Sequence, residues 1–248
     1  MTIAAGFRCS DGVLLCADSQ LTIPQYLKMG EAKIISMAGI PHSPCFVYAG
    51  DVYFSKDSIH RLATVIGRSD TQVLTEAVRR KCRAIYREQA GGDRNTLELL
   101  LTLRRPPVAA IQLWHICGTA FHPVQDAICI GAGMDMMHAL TTKLYRSSMT
   151  LREASYMAAY ALSETKEYVD SVGKNSLIYL LFDSGKRAVV VHEEIQELER
   201  SFEKFWESSV SVLIQRERLD FIEGLGRLTN QLKEAYEKRV ACDLYYLP

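Results

Sequence analysis

The sequence predicts an α+β fold, a four-layer αββα sandwich in which two β-sheets pack face to face between layers of helices. Three observations support this prediction. Short apolar segments of strand character follow one another in groups, and helical segments occur in pairs between those groups. Each predicted helix also has one apolar face that must be buried. Two facing sheets with a helix pair on each outer side would bury all of these faces.

The chain begins with a predicted β-hairpin. Residues 2–7 have the character of a strand, Ser10-Asp11-Gly12 is typical of a tight turn, and residues 13–17 form a short apolar run. Residues 19–24 are polar at their start and end in a proline, so they are interpreted as a turn. Most chains leave their first residues loose. Here the pattern indicates that the start of the chain is held in a sheet.

The remaining body alternates groups of strands with pairs of helices. The apolar periodicities and turn residues predict the following elements: strands at 33–37 and 45–49, helices at 52–66 and 71–88, strands at 96–103, 109–117 and 127–130, helices at 135–146 and 151–169, and strands at 176–182 and 188–192. Thr150, followed three residues later by Glu153, is typical of a capping box at the start of a helix.

The character of the chain changes near residue 192. We therefore divide it into a body over residues 1–192 and a C-terminal helical extension over residues 193–248. Apolar residues recur at helical spacing in two stripes: Ile195, Leu198, Phe202, Phe205 and Trp206, then Leu225, Leu228, Leu232 and Tyr236. These stripes must be buried either on the body or on another subunit.

Composition argues against several classes of function. The 248 residues contain 29 Lys plus Arg and 29 Asp plus Glu, so the formal net charge is zero. A neutral chain gives no support to nucleic-acid or membrane-surface binding. No apolar run approaches the roughly 20 residues of a membrane-spanning helix, and no signal peptide is recognisable. A cytoplasmic protein is expected.

Cysteine and histidine spacing predicts no metal site and no cofactor. The seven cysteines are scattered without a C-x-x-C pair, which is typical of reduced thiols in the cytoplasm. The six histidines show no ligand spacing. Gly91-Gly92 lacks the further residues of a phosphate-binding loop.

Thr2 is the first candidate for chemistry. If Met1 is removed, Thr2 carries a hydroxyl and a free α-amine on one residue. The reference pKa of an α-amine is about 7.7–8.0, which suits a general base at neutral pH. One N-terminal residue can therefore supply both nucleophile and base.

Such a site needs a cation, a group that orients the cation, and an amide donor for the oxyanion. Lys33 begins the predicted third strand and Asp18 ends the second. If the third strand lies beside the first two, both side chains could reach Thr2. Gly50 ends the fourth strand and would allow close approach of a substrate backbone.

With these residues in place, the chain resembles β subunits of the proteasome and their bacterial relatives, which are N-terminal nucleophile (Ntn) hydrolases. The resemblance covers about residues 2–192. The stretches that carry it are Thr2-Ile3 through Asp18-Ser19, Lys33-Ile34-Ile35, Tyr48-Ala49-Gly50-Asp51, Ile130-Gly131-Ala132-Gly133 and Tyr168-Val169-Asp170-Ser171.

The resemblance implies the αββα sandwich and a role for each matching residue. Thr2 would be the nucleophile, with its amine as base, and Asp18 and Lys33 would tune it. Gly50 would donate an oxyanion-hole N–H, and Asp170 would support the terminus. Two positions depart from the family pattern: Ala132 and Gly173 stand where serines usually hydrogen-bond around the threonine amine.

Three functions remain open at this point. The preferred one is a threonine peptidase acting on peptides or proteins, in a homo-oligomeric ring or stack; an ATP-driven unfoldase partner cannot be inferred from the sequence. The second is an inactive subunit whose task is assembly. The third is a hydrolase of small amides. Each residue also has an ordinary structural interpretation: Thr2 as a strand residue, Asp18 as a turn cap, Lys33 as a surface lysine and Asp170 as a loop residue.

Overall fold

The fold is described from a computed structural model that covers residues 2–23, 27–37, 39–70, 73–88, 97–104, 110–214, 227, 230 and 245–247. The strands are β1 (Ile3–Cys9), β2 (Gly12–Asp18), β3 (Gln20–Ile23), β4 (Leu27–Gly30), β5 (Ile34–Ser36), β6 (Cys45–Ala49), β7 (Glu98–Arg104), β8 (Ile111–Cys117), β9 (Ala120–Val124), β10 (Ala127–Gly131), β11 (Ser176–Phe182), β12 (Arg187–Val189) and β13 (Tyr245–Leu247). The helices are α1 (Val52–Arg68), α2 (Leu74–Glu88), α3 (Met134–Leu144), α4 (Leu151–Tyr168) and α5 (His192–Ile214).

Two antiparallel sheets form the centre of the molecule. The first sheet has the strand order β10-β1-β2-β11-β12-β13, and the second has the order β5-β6-β7-β8-β9. Their facing sides are apolar, with residues such as Val13, Leu15, Val47, Leu100 and Leu113 buried between them. The outer side of the first sheet packs on α3, α4 and α5, and that of the second packs on α1 and α2. The predicted αββα sandwich is therefore confirmed.

The interpretation of residues 19–24 as a turn was wrong. Gln20–Ile23 form β3, which pairs with β4 in a separate hairpin. The alternation of polar Gln20 and Thr22 with apolar Leu21 and Ile23 is a strand pattern of period two. A proline blocks a ladder hydrogen bond only at its own position, so a following proline does not prevent such a strand.

Two other elements differ from the sequence prediction. Strand β9 was not predicted from the sequence. It contains Pro123 and lies at the edge of the second sheet, where a missing N–H is tolerated. The strand predicted for residues 188–192 instead ends at Val189, and His192 already begins α5. The capping box of Thr150 and Glu153 at the start of α4 is confirmed.

The C-terminal region adds to the first sheet and its helical layer. Ile195 and Leu198 of α5 are buried in the same apolar cluster as α4, and Phe202 packs against that cluster. Tyr245–Leu247 form a strand beside β12, so this part of the predicted helical extension is not helical. The side chains of Phe205 and Trp206 and the second predicted stripe lie outside the described residues. The domain boundary at residue 192 stays a prediction.

No helix in the described ranges is both long and apolar enough to cross a membrane.

A partly buried charge on α5 connects this helix to the sandwich. Glu199 Oε1 accepts hydrogen bonds from Lys166 Nζ of α4 at 2.6 Å and from Ser176 Oγ of β11 at 2.8 Å. Ser176 in turn pairs with Asp18 across the β2–β11 ladder. The helix is thereby connected to the strand end that carries a predicted site residue.

We expect Glu199→Ala to lower the free energy of unfolding by roughly 1.5–3 kcal/mol, since it removes a charged acceptor from two mostly buried donors. Urea denaturation followed by circular dichroism measures this change. Glu203→Ala, on the exposed side of the same helix, is the matched control and should change stability by less than about 0.5 kcal/mol. Equal effects of the two substitutions would contradict the anchoring role.

Candidate active site

Thr2 directly precedes β1 and is almost completely buried, with 4% of its surface exposed. Its backbone is fixed on the β10 side, because the Thr2 carbonyl accepts a hydrogen bond of 2.7 Å from the Ala132 N–H. The next residue, Ile3, is paired with Gly131 in the same ladder. The start of the chain is therefore held in the first sheet, as the sequence predicted.

Asp18 is fully buried at the end of β2, next to the start of β1. Within the described part of the chain, four donors bind its carboxylate. Oδ1 accepts from Ile3 N at 3.0 Å and Lys33 Nζ at 2.6 Å, and Oδ2 accepts from Gln20 N at 3.2 Å and Gly173 N at 3.0 Å. These donors come from separate segments of the chain, so Asp18 does more than cap a turn.

Lys33 reaches Asp18 from the opposite sheet. The condition that its strand lies beside the first two is not met, because β5, which follows Lys33, pairs with β6 in the second sheet. The side chain of Lys33 is completely buried and also donates to the Gln20 carbonyl at 2.6 Å. The predicted association of Lys33 with Asp18 is present, but it crosses between the two sheets.

Burial lowers the pKa of the Lys33 ammonium, and the neighbouring Asp18 carboxylate opposes this shift. A lysine in this state gives up its proton more readily than an exposed lysine. The positive charge of Lys33 also lies close to the Thr2 backbone. Lys33 Nζ and the N–H of Ile3, the residue after Thr2, donate to the same Asp18 oxygen. Such a charge can stabilise a negative oxygen that develops nearby.

Gly131 is required where β10 meets Thr2. Its φ of +91° suits glycine, and a Cβ built on it would lie 2.2 Å from the Thr2 carbonyl oxygen. The same Cβ would lie 3.1 Å from the Ala49 side chain at the end of β6. The last residues of β6 and β10 therefore both border the start of the chain.

Gly50 and Asp170 lie around this centre. Gly50 follows Ala49, has a φ of +101° and is exposed. Asp51 then caps α1 by accepting from Phe54 N at 2.7 Å. Asp170 is exposed, and its backbone carbonyl accepts a hydrogen bond of 3.3 Å from Gln20 Nε2. Gln20 thus links Asp170 to the site, because its backbone N–H also donates to Asp18.

Ala132 and Gly173 both contribute backbone N–H groups to the centre. Ala132 N binds the Thr2 carbonyl, and Gly173 N binds Asp18 Oδ2. Neither residue offers a hydroxyl. A Cβ on Gly173 would lie 2.5 Å from Gln20 Oε1, which is the movable end of a side chain. The positions that the resemblance assigned to serines are therefore at the site, with smaller side chains.

The sequence prediction missed two residues that support this arrangement. Gln20 contacts Asp18, Lys33 and Asp170, as described above. Glu98, at the start of β7, accepts a hydrogen bond from Gly131 N at 3.2 Å and thereby joins the second sheet to the end of β10. The signal for Glu98 in the sequence was an acidic residue directly before a run of three leucines, the second of which, Leu100, is buried between the sheets.

The fold is the four-layer αββα sandwich, and Thr2 lies buried at the start of its first strand. Solved structures with this fold include Anbu (ancestral beta-subunit) from Yersinia bercovieri, at 15% sequence identity, 86% coverage of this chain, 97% coverage of that chain and a TM-score of 0.73.

Two structures from Hyphomicrobium sp. strain MC1 are also similar. An Anbu Gly-1 mutant has a TM-score of 0.70 and Anbu itself 0.69. Each is 15% identical and covers 85% of this chain and 97% of the other. No protein-family model matches the sequence, and no curated protein matches it. The comparisons thus establish the Anbu fold for this chain.

We expect Lys33→Met to lower the free energy of unfolding by roughly 3–5 kcal/mol. The substitution leaves the Asp18 carboxylate buried without its counter-charge. Urea denaturation measures the loss. Lys56→Met is the control, because it breaks the partly exposed ion pair between Lys56 and Glu31. It should lower the free energy of unfolding by about 1 kcal/mol or less. A loss for Lys33→Met as small as that of the control would contradict a supporting role of the buried pair.

We expect Gly131→Ala to destabilise the protein by about 1–3 kcal/mol, since the new Cβ meets the Thr2 backbone and the backbone conformation is strained. Thermal or urea unfolding tests this. Gly39→Ala is the control, because a Cβ there has no neighbour within 4 Å. If both variants unfold alike, the close approach of Gly131 to Thr2 does not constrain the fold.

Proposed function

We propose that this protein is an N-terminal threonine hydrolase of the proteasome type, with Thr2 as nucleophile once Met1 has been removed. The observation that carries the proposal is the location of Thr2 at the secured start of β1, one residue from a buried Asp18–Lys33 pair. Asp18 accepts from Ile3 N and from Lys33 through the same oxygen. In this proposal, Thr2 is the nucleophile, Lys33 supplies the cation and Asp18 is the carboxylate that orients the cation.

The chemistry follows from this arrangement. The α-amine of Thr2 accepts the hydroxyl proton as Oγ1 attacks the carbonyl carbon of an amide. The tetrahedral intermediate collapses to an ester on Thr2, and the amine passes its proton to the leaving nitrogen. Water then attacks the ester, again with the amine as base, and releases the acid and the free hydroxyl.

The other site residues support this reaction. Lys33 stabilises the negative charge that develops on Oγ1, and Asp18 holds the ammonium in position. Gly50 is the proposed oxyanion-hole donor. It is exposed, and it follows Ala49, whose side chain lies next to Gly131. Asp170 supports the terminus indirectly through Gln20.

Peptide bonds in peptides or unfolded proteins are the proposed substrates, and a cytoplasmic homo-oligomer is the proposed assembly. The support is the fold shared with Anbu, whose name describes an ancestral beta-subunit. A ring or stack would confine cleavage to an inner chamber. A monomer or dimer would instead favour the hydrolysis of small amides.

An inactive assembly subunit is the second candidate. The specific observation in its favour is that Ala132 and Gly173 bring no hydroxyl to the threonine centre, although both lie there. If this candidate is correct, the Asp18–Lys33 pair serves the stability of the sandwich alone.

Intact mass spectrometry with an epoxyketone probe tests the nucleophile. The probe requires both the amine and the hydroxyl of an N-terminal threonine. We expect loss of Met1 and a single adduct per chain. Labelling should become faster as the pH rises through about 7.7–8.0, because the reactive amine must be neutral.

Two substitutions serve as controls for the labelling. Thr2→Ser keeps the hydroxyl and should still react, whereas Thr2→Ala should not. Ala132→Ser adds the missing hydroxyl beside Thr2 and should increase the labelling rate if the amine is poorly held. A retained Met1 with no adduct in a folded protein would favour the assembly candidate, and light scattering would then decide the oligomeric state.

A further inference from the structure

A mixed cluster of Glu98, His115 and Cys117 lies beside the threonine centre. Glu98 and Cys117 face each other across the β7–β8 ladder, and His115 lies two residues before Cys117 on the same side of the strand. Leu100 and Leu113, on that same side, belong to the core between the sheets. The cluster therefore lies at one end of the layer between the two sheets.

The ligand atoms of these residues are close enough to share one ion. His115 Nε2 is 3.5 Å from Glu98 Oε1, and the nitrogen, sulfur and carboxylate oxygen all lie within 4.8 Å of one another. Two ligands bound to zinc at tetrahedral angles are roughly 3.3–3.7 Å apart. Small side-chain rotations would bring the group to that spacing.

His115 supplies a second and independent observation. Its Nε2 atom is buried and has no hydrogen-bond partner among the described residues. The Glu98 carboxylate is near, but it does not have hydrogen-bond geometry toward this nitrogen. A buried polar atom without a partner is costly. A metal ion between Nε2 and Oε1 would satisfy the nitrogen through its lone pair.

The carboxylate is already oriented for such a role. Glu98 Oε2 accepts the hydrogen bond from Gly131 N, which leaves Oε1 directed toward His115. Backbone donors of this kind commonly hold the carboxylates that ligate metals. The ligand is thus fixed by an interaction outside the cluster.

We propose that Glu98, His115 and Cys117 form a binding site for a divalent transition metal of the zinc class. Thiolate and imidazole ligands favour zinc or cobalt over magnesium and calcium, which prefer oxygen. Binding releases the thiol proton of Cys117 to solvent. Three protein ligands leave a fourth position for water or another donor.

The site is connected to Thr2 but does not depend on its activity. Glu98 accepts a hydrogen bond from Gly131 N, and the N–H of the next residue, Ala132, donates to the Thr2 carbonyl. An ion on Glu98 would therefore stiffen the strand end that supports the start of the chain. Metal binding can be measured in Thr2→Ala, so failure of the proposed hydrolase would not affect this test.

Cobalt titration of the metal-stripped full-length protein tests the site. We expect one Co²⁺ per chain, an absorption band from thiolate-to-cobalt charge transfer, and displacement of that band by Zn²⁺. Cys117→Ser should abolish the band. Glu98→Gln removes the charge of a direct ligand and should weaken Zn²⁺ binding by at least the roughly 10–100-fold that the loss of an outer-shell partner costs, and His115→Ala should weaken it at least as much. Zn²⁺ but not Mg²⁺ should raise the melting temperature.

Cys9→Ser and Cys129→Ser are the matched controls, because both replace partly buried cysteines elsewhere in the body. Both should keep the band at wild-type intensity. Circular dichroism shows that each variant is folded, and Cys117→Ala replaces Cys117→Ser if the serine variant is not. The proposal is overturned if the wild type shows no band, if the band survives loss of Cys117, or if Mg²⁺ stabilises the protein as much as Zn²⁺.

Discussion

The buried Asp18 carboxylate is the constraint on which the centre of this molecule depends. An ionised carboxylate removed from water needs both a counter-charge and hydrogen bonds. Here the counter-charge is Lys33 of the opposite sheet, and the hydrogen bonds come from the start of β1, the start of β3 and the loop at Gly173. Asp18 can be buried favourably only when all of these segments are in place.

This requirement explains why Thr2 and Ile3 are held in place. A terminal residue usually has few contacts. Thr2 is instead fixed on two sides: its own carbonyl accepts a hydrogen bond from Ala132 N, and the N–H of the next residue, Ile3, donates to Asp18. The position of Thr2 is therefore determined by both flanking strands, and this is the precision that an N-terminal nucleophile would require.

The two sheets are also joined by polar contacts away from the Asp18–Lys33 pair. Glu98 of the second sheet binds Gly131 of the first, and Arg187 of β12 donates to Ser36 of β5 at 2.7 Å. The layer between these contacts is apolar. An apolar interface alone allows sliding, whereas directional contacts at several places determine how the sheets are aligned. The candidate site and the proposed metal site both use such contacts.

Local pattern was enough to determine much of this protein. Strand and helix periodicity predicted the layered fold, the ordered start at Thr2 and the helices on both outer faces, because these features depend on the spacing of apolar residues. The resemblance to proteasome subunits added the candidates Asp18, Lys33, Gly50 and Asp170. Pro24 favoured a turn at residues 19–24, and the sequence prediction did not include β9, which contains Pro123. A proline at the edge or end of a strand has different consequences than one within a central strand.

Only the tertiary structure decided which of these residues meet and how. Lys33 precedes a strand of the other sheet, so its contact with Asp18 depends on the packing of two sheets and not on neighbouring strands. Glu98 and the pair His115 and Cys117 have no metal-binding spacing along the chain. The β7–β8 register alone places them together. Contacts across a sandwich join residues far apart in sequence, and local periodicity carries no information about them.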